Sequence, residues 1–399
     1  MKRFAVIALG VFSFSVPVGA QPLFEKIDLF EAGKDGYALY RIPGIVVTRS
    51  GAVLAYCEAR KNAGGDWGHI DLMLRRSTDH GKTWAPRQHL VKFDQKFERN
   101  PVAVKQKLGK PGETTLNNPV AIAEGKTGTV HFLVCVEYAR CFYLRSEDDG
   151  KTFTKPVEIT STFDKFKSTY DWKVLATGPG HGIQLSNGRL IVPVWLSTGT
   201  GGHAHRPSCV AVIYSDDQGR TWLPGDIVVR DPDLANPSET VAVELADGKV
   251  MFNIRHEGKP HFRAVSISAD GATKWSKPKL DESLPEPVCM ASIMRLPSYS
   301  TFDKTRILFV NPNNPTGRER KNVSARLSYD EGKTWPIVKT IEAGPSGYSD
   351  ASVTSDGTIL CFYERGAGEK SSFRPSLLTV ARFNLDWLTD GKDRMPGGK

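Results

Sequence analysis

Cysteine is scarce: six residues in 399, Cys57, Cys135, Cys141, Cys209, Cys289 and Cys361, with no CxxC pair and no histidine-rich metal spacing beside them. That excludes a structural zinc site and a dithiol redox centre, so no metal and no cofactor is expected. Long apolar runs are missing too. Beyond the N-terminal "FAVIALGVFSF", no run of about 18 apolar residues occurs, so no membrane span is expected. No stretch keeps helical periodicity over three turns, which removes helical bundles from consideration. The formal charge is +9, but the basic residues are scattered and dense only over residues 92–113. A solvated loop explains that stretch, and without a recognised binding motif nucleic acid is excluded as a partner. The basic balance favours an anionic substrate or matrix.

What is present begins with Met1, Lys2 and Arg3, the short apolar run, and "VPVGA" with Val18 and Ala20 in the small-residue positions before a cut. This is the anatomy of a secretory signal peptide over residues 1–20, with a mature chain starting near Gln21 and a secreted or periplasmic destination. The mature segment, 21–399, is about 379 residues, enough for one large repeat fold or two ordinary domains. Cys135 and Cys141 flank "VEYAR" and can face each other across a hairpin, which would admit a disulfide.

Five stretches repeat one pattern: "STDHGKTW" from Ser77, "SEDDGKTF" from Ser146, "SDDQGRTW" from Ser215, "SADGATKW" from Ser268 and "SYDEGKTW" from Ser328. Their aspartates, Asp79, Asp148, Asp217, Asp270 and Asp330, are spaced by 69, 69, 53 and 60 residues, roughly the length of one four-stranded sheet. Between them run short β-branched segments such as "GIVVT", "AVLAYCEA", "TVHFLVCV" and "RLIVPVW", separated by turn pairs. An all-β chain with a repeat near 60 residues predicts a six-bladed β-propeller of four-stranded antiparallel blades. The box explains itself structurally. Its aspartate can accept backbone N–H bonds within a turn, its glycine supplies a backbone angle denied to other residues, and its tryptophan can wedge between sheets. Five copies of one reaction would serve no purpose, so the boxes read as scaffold; box four, with Ala272 and Lys274 in the usual glycine and threonine registers, reads as a tolerated variant.

Chemistry is therefore expected in residues that do not repeat. Arg41 in "YRIPGIVV", Arg255 in "KVMFNIRHEG" and Arg320 in "RERKNVSARLSY" each stand beside an apolar strand. Arginine resists burial unless a carboxylate pairs with it, so each alone reads as a structural ion pair, or together as a fork for a substrate carboxylate. Tyr348 alone reads as a strand tyrosine, Asp66 as a turn start after two glycines, and Glu239 as a glutamate at a strand start with Glu244 as a competitor.

With "YRIP", the five boxes, "GPGHGIQL" and these acidic and aromatic residues in order, nearly the whole mature chain resembles the exo-sialidase (neuraminidase) family. The resemblance implies that Arg41, Arg255 and Arg320 are a triad gripping the carboxylate of sialic acid, with Arg318 a competitor for the third place. It implies Tyr348 in "SGYSDASV" as nucleophile, Glu239 in "NPSETVAVEL" as its paired glutamate, Asp66 as acid/base, and Glu364 in "CFYERG" as the carboxylate holding the first arginine. Arg60 in "CEAR" resembles a position near the pocket, as do Asn118 and Cys289. The chemistry agrees with these types. A sialoside carries a carboxylate on its anomeric carbon, so a neutral phenol approaches without the repulsion a carboxylate nucleophile would meet, provided a base takes its proton.

The remaining motifs are weaker. "STGTGGHAHR" reads as a mobile rim loop, and its histidines lack metal partners. "GPGHGIQL" needs its glycines for close backbone approach, with His181 packed behind the site. The expected function is a monomeric exo-α-sialidase acting on sialylated glycoconjugates, the alternatives being a non-catalytic glycan-binding propeller and a trans-sialidase that passes the sugar to an acceptor.

Overall fold

The computed structural model describes residues 21–298, 303–366 and 374–395. The leader expected over residues 1–20 lies outside them. Among the described residues no helix is long and apolar enough to cross a membrane.

The fold is all-β, and the described residues form five hydrogen-bonded sheets. The first holds Leu39–Val47, Val53–Arg60, Ile70–Ser77 and Gln88–His89. The second holds Leu116–Ala123, Val130–Val136, Arg140–Ser146 and Val157–Glu158, and is joined at its inner edge by the parallel pair Gly180–His181. The third runs Val174–Thr177, Leu190–Ser197, Ser208–Ser215 and Leu223–Arg230, and the fourth Thr240–Glu244, Val250–Ile254, Phe262–Ser268 and Lys279–Pro285. Strands such as Val53–Arg60 and Leu190–Ser197 are buried along their whole length. This is why they read as continuous apolar runs rather than as alternation.

Each sheet packs face to face on the next, giving a propeller-like arrangement. Leu54 and Leu72 of the first sheet meet Phe132 and Val134 of the second, Leu133 meets Val192 and Ile213 of the third, and Val210 and Val212 meet Phe252 and Ile254 of the fourth. Burying such side chains contributes roughly 1.5–3 kcal/mol each.

The expectation of six separate four-stranded blades is corrected. The last part of the chain forms one seven-stranded sheet, ordered Phe24–Glu31, Leu377–Phe383, Ile359–Arg365, Ile337–Val353, Lys321–Ser328, Ile307–Pro312 and Ser292–Arg295. Ile337–Val353 is a single 17-residue strand whose first half pairs with Lys321–Ser328 and whose second half pairs with Ile359–Arg365. Two groups that would otherwise be separate are thus fused, and their faces pack together through Leu308, Val310, Cys361 and Tyr363. Phe24–Glu31 pairs antiparallel with Leu377–Phe383, so the first described strand closes the sheet that the last one opens.

The boxes lie at the turns after the third strands. Asp79 Oδ1 accepts from Ser77 Oγ at 2.8 Å, Lys82 N at 3.1 Å and Thr83 N at 2.9 Å, while Oδ2 accepts from Thr83 Oγ1 at 2.6 Å. Asp148 repeats this pattern, and Asp217 and Asp330 keep the serine and threonine bonds. In box four the interval from aspartate to threonine is one residue shorter, and the turn is kept rather than degraded. Thr273, not Lys274, bonds Asp270 at 2.7 and 2.9 Å, and Lys274 N donates to Asp226 at 2.7 Å instead. Cys135 and Cys141 face each other across their hairpin as expected, as free buried thiols.

Candidate active site

The starts of the inner strands converge on a cavity of about 200 Å³ lined by Arg41, Asp66, Glu239, Arg255, Arg320 and Tyr348. The structure therefore brings together, from three sheets and their loops, six of the eight residues singled out in the sequence; Arg60 and Glu364 stand directly behind them. Arg318 does not line the cavity; Arg320 does.

Local structure explains each placement. Arg41 sits where the pairing of Leu39–Val47 with Val53–Arg60 shifts register, and the next residue, Ile42, has φ +59°. A β-branched residue there is strained, a condition that persists only where its surroundings enforce it. The enforcing group is Glu364, which is 1% exposed. It accepts from Arg41 Nε at 2.8 Å and Nη2 at 3.2 Å, from Ile42 N at 3.3 Å and from Tyr348 N at 3.1 Å. One carboxylate thus fixes the first arginine and the backbone of the tyrosine.

Glu239 and Arg255 flank the hairpin Thr240–Glu244/Val250–Ile254, and the bonds Ser238 N to Arg255 O (3.0 Å) and Arg255 N to Glu239 O (3.1 Å) extend its ladder to them. Their side chains form an ion pair that also meets Tyr348. The Tyr348 hydroxyl donates to Glu239 Oε1 at 2.5 Å and accepts from Arg255 Nη1 at 2.7 Å. Arg41 and Arg320 lie against the tyrosine ring, 5.1 and 4.8 Å from its centroid. Arg320 Nη2 donates to Val288 O at 2.7 Å, and Ile42, Cys289 and Met290 pack around the phenol. Glu244, the competitor for Glu239, points elsewhere and accepts from Ser186.

Burial pushes the Tyr348 phenol well above its ordinary value, and Glu239 pushes it further, outweighing the opposing pull of Arg255, Arg320 and Arg41. The phenol is protonated and its hydrogen bond points at the Glu239 side chain. Asp66 is the reverse case. Burial would raise its carboxyl, but Arg60, His205 and Arg41 outweigh that and hold it well below the usual carboxylate range. Arg60 Nη1 donates to Asp66 Oδ1 at 3.0 Å and to Gly65 O at 2.6 Å.

The loop "STGTGGHAHR", expected near the rim, contributes His203, His205 and Arg206 to the cavity wall. His205 packs against Tyr138 and Trp195, with ring centroids 5.0 Å away in both cases, and against Trp67 at 6.1 Å. Burial lowers it to about 4, so it is a neutral imidazole at pH 7. Sequence reasoning missed this wall because its members come from separate sheets and share no local pattern. His181 lies behind the site as expected, its Nδ1 2.6 Å from Asp350 Oδ1. Asn118 lines the cavity with φ +49°. Among the described residues, no group of three or more His, Cys, Asp or Glu is arranged to hold a metal ion.

Comparison with known proteins agrees with this geometry. Residues 98–361 match the family described as the BNR repeat-like domain. The chain is 29% identical over 94% of its length to a sialidase of Micromonospora viridifaciens, of which it covers 56%. It is 30% identical over 84% of its length to a sialidase of Bacteroides fragilis, of which it covers 61%. It thus spans little more than half the length of these two curated relatives. Among solved structures, a Hadza microbial sialidase superposes with a TM-score of 0.73 at 27% identity, over 90% of this chain and 68% of that one. With the repeats, the sheet arrangement and the relatives in agreement, this chain belongs to the sialidase family with BNR (Asp-box) repeats.

Proposed function

We propose that the protein is an exported exo-α-sialidase, a glycoside hydrolase that releases terminal α-linked sialic acid from glycoproteins, glycolipids and oligosaccharides with net retention of configuration. The observation that carries this reading is the Tyr348 hydroxyl held between Glu239 and Arg255 while Arg41 and Arg320 lie against its ring.

In this reading Arg41, Arg255 and Arg320 bind the substrate carboxylate by charge-assisted hydrogen bonds, which sets the anomeric carbon over the phenol. Glu239 takes the phenolic proton as the tyrosyl C–O bond forms, and Asp66 protonates the departing glycosidic oxygen. Water, deprotonated by Asp66, then attacks the glycosyl-tyrosine; the phenolate leaves and recovers its proton from Glu239. Asp66 is a carboxylate in the free site, held so by its cationic neighbours. A bound sialic acid brings a negative charge among those cations and raises the affinity of Asp66 for the proton it must donate.

No cofactor enters. Export rests on the leader and is checked by N-terminal sequencing of the mature protein, expected to begin near Gln21. A monomer is proposed, which size-exclusion chromatography with light scattering checks. The deciding experiment offers the purified protein α2,3-, α2,6- and α2,8-linked sialosides, with and without lactose. Free sialic acid in both conditions supports the hydrolase; sialyllactose formed only with acceptor would reassign it as a trans-sialidase; binding without release would make it a lectin.

A further inference from the structure

Glu58 touches none of the groups to which the proposed reaction assigns a step, yet it is fully buried on the strand Val53–Arg60, two residues before Arg60 on the same face. Its Oε2 accepts from Arg60 Nη2 at 2.6 Å and Nε at 3.0 Å, and its Oε1 accepts from Asn118 N at 3.0 Å. The other edge of the same guanidinium, through Nη1, holds Asp66. One buried cation, 3% exposed, is therefore shared by two carboxylates, one at the back and one in the cavity. We propose that Glu58 is a positioning residue: by gripping Arg60 from behind, it sets both the place of Asp66 and how readily Asp66 takes up the proton the leaving group needs. The proposal rests on the reading of Asp66 as acid/base.

The physical argument is charge balance. An arginine alone beside Asp66 would keep it ionised, whereas a partner of opposite sign on the far edge of the guanidinium weakens that hold. The other groups facing Asp66 are Arg41, itself neutralised by Glu364, the neutral His205 and His203, and Tyr138. None of them offers a second carboxylate to Arg60. Glu58 is thus the one anion bonded to the cation that Asp66 touches, among the described residues.

The test is the pH dependence of kcat with two substrates. Sialyllactose has a poor leaving group and needs the acid; an aryl sialoside with an acidic phenol does not. A general acid works only while protonated, so the rate on sialyllactose falls as pH rises through its pKa. Glu58→Gln leaves the Arg60 charge uncompensated, and the alkaline limb for sialyllactose is expected to move down by about one pH unit. kcat for the aryl sialoside is expected to stay within about twofold at the plateau. The double variant Glu58→Gln/Arg60→Met replaces the buried pair by neutral groups of similar size, which folds tolerate, and its limb is expected to move up. Opposite shifts from the two variants support the proposal; if Glu58→Gln does not fold, Glu58→Asp, which keeps the charge but withdraws it from Arg60, must move the limb down in its place. Unshifted limbs, or equal losses on both substrates, overturn it. Asp66→Asn separates this from the underlying reading. If it slows the two substrates equally, Asp66 is not the acid; if it selectively slows sialyllactose while the limbs of the other variants stay put, only the role of Glu58 fails.

Discussion

Removing the base from the tyrosine is the sharpest perturbation available. Tyr348 is 5% exposed, and among the described residues the carboxylate that accepts from its hydroxyl is Glu239, at 2.5 Å. An ordinary phenol titrates near 10, so fewer than about one in a thousand is ionised at pH 7. Burial makes this one scarcer still. Attack must therefore coincide with proton transfer. Glu239→Gln keeps the shape and removes the acceptance of a proton, a loss of about 10²–10⁴ in kcat, or about 3–5.5 kcal/mol of barrier. Tyr348→Phe should cost at least as much. Because the two act as a unit, the double variant should be no slower than the worse single. The assay is steady-state release of a fluorogenic phenol from its sialoside, with thermal melts confirming that each variant is folded. A Tyr348→Phe variant that is folded and keeps more than about a tenth of kcat, or losses that multiply in the double variant, would refute the pairing of this phenol with this base as nucleophile and activator.

Glu364→Gln leaves Arg41 buried without its counter-charge, and should lower unfolding free energy by about 3 kcal/mol in denaturant titration and raise KM. Asp79→Ala removes the centre of one box and should cost about 1 kcal/mol while leaving kcat unchanged, since that turn lies outside the cavity. The box carboxylates also fix an acid limit. Burial would raise Asp79, Asp148 and Asp270, but their hydrogen bonds outweigh it and bring each down to about 2. Their folded values lie below the unfolded value near 4, so their stabilisation is complete above that pH and is lost as the pH falls from about 4 towards about 2, which acid titration by circular dichroism should show. All six thiols are free and buried, so thiol titration should find six equivalents in denaturant and almost none in the native protein.

The boxes were legible because their information is local: serine, aspartate and threonine within a few residues close one turn. Even so, box four misled, since an equal-length comparison put Lys274 where the turn uses Thr273 one residue earlier. The triad, Tyr348, Glu239 and Asp66 were legible as motifs in order, although their meeting depends on contacts such as Glu364 with Arg41, 323 positions apart. The fused sheet was not. "IVKTIEAGPSGYSDASV" carries two glycines and a proline, residues that weaken strands in general, yet register shifts absorb them within one continuous strand. Glu58 escaped notice because a charged residue within "AVLAYCEAR" looks like a strand end, and only the fold shows its burial.

The closing strand Phe24–Glu31 ties the front of the described residues to the sheet that carries Tyr348, and Phe24 stacks on Trp387 with centroids 4.2 Å apart. Trimming that reaches past Phe24 would strip a clasp, baring unpaired amides on Leu377–Phe383 two strands from Tyr348 and inviting intermolecular zippering. A cut a dozen residues beyond Gln21 would therefore yield a chain with every group of the cavity intact and no secure frame to aim them.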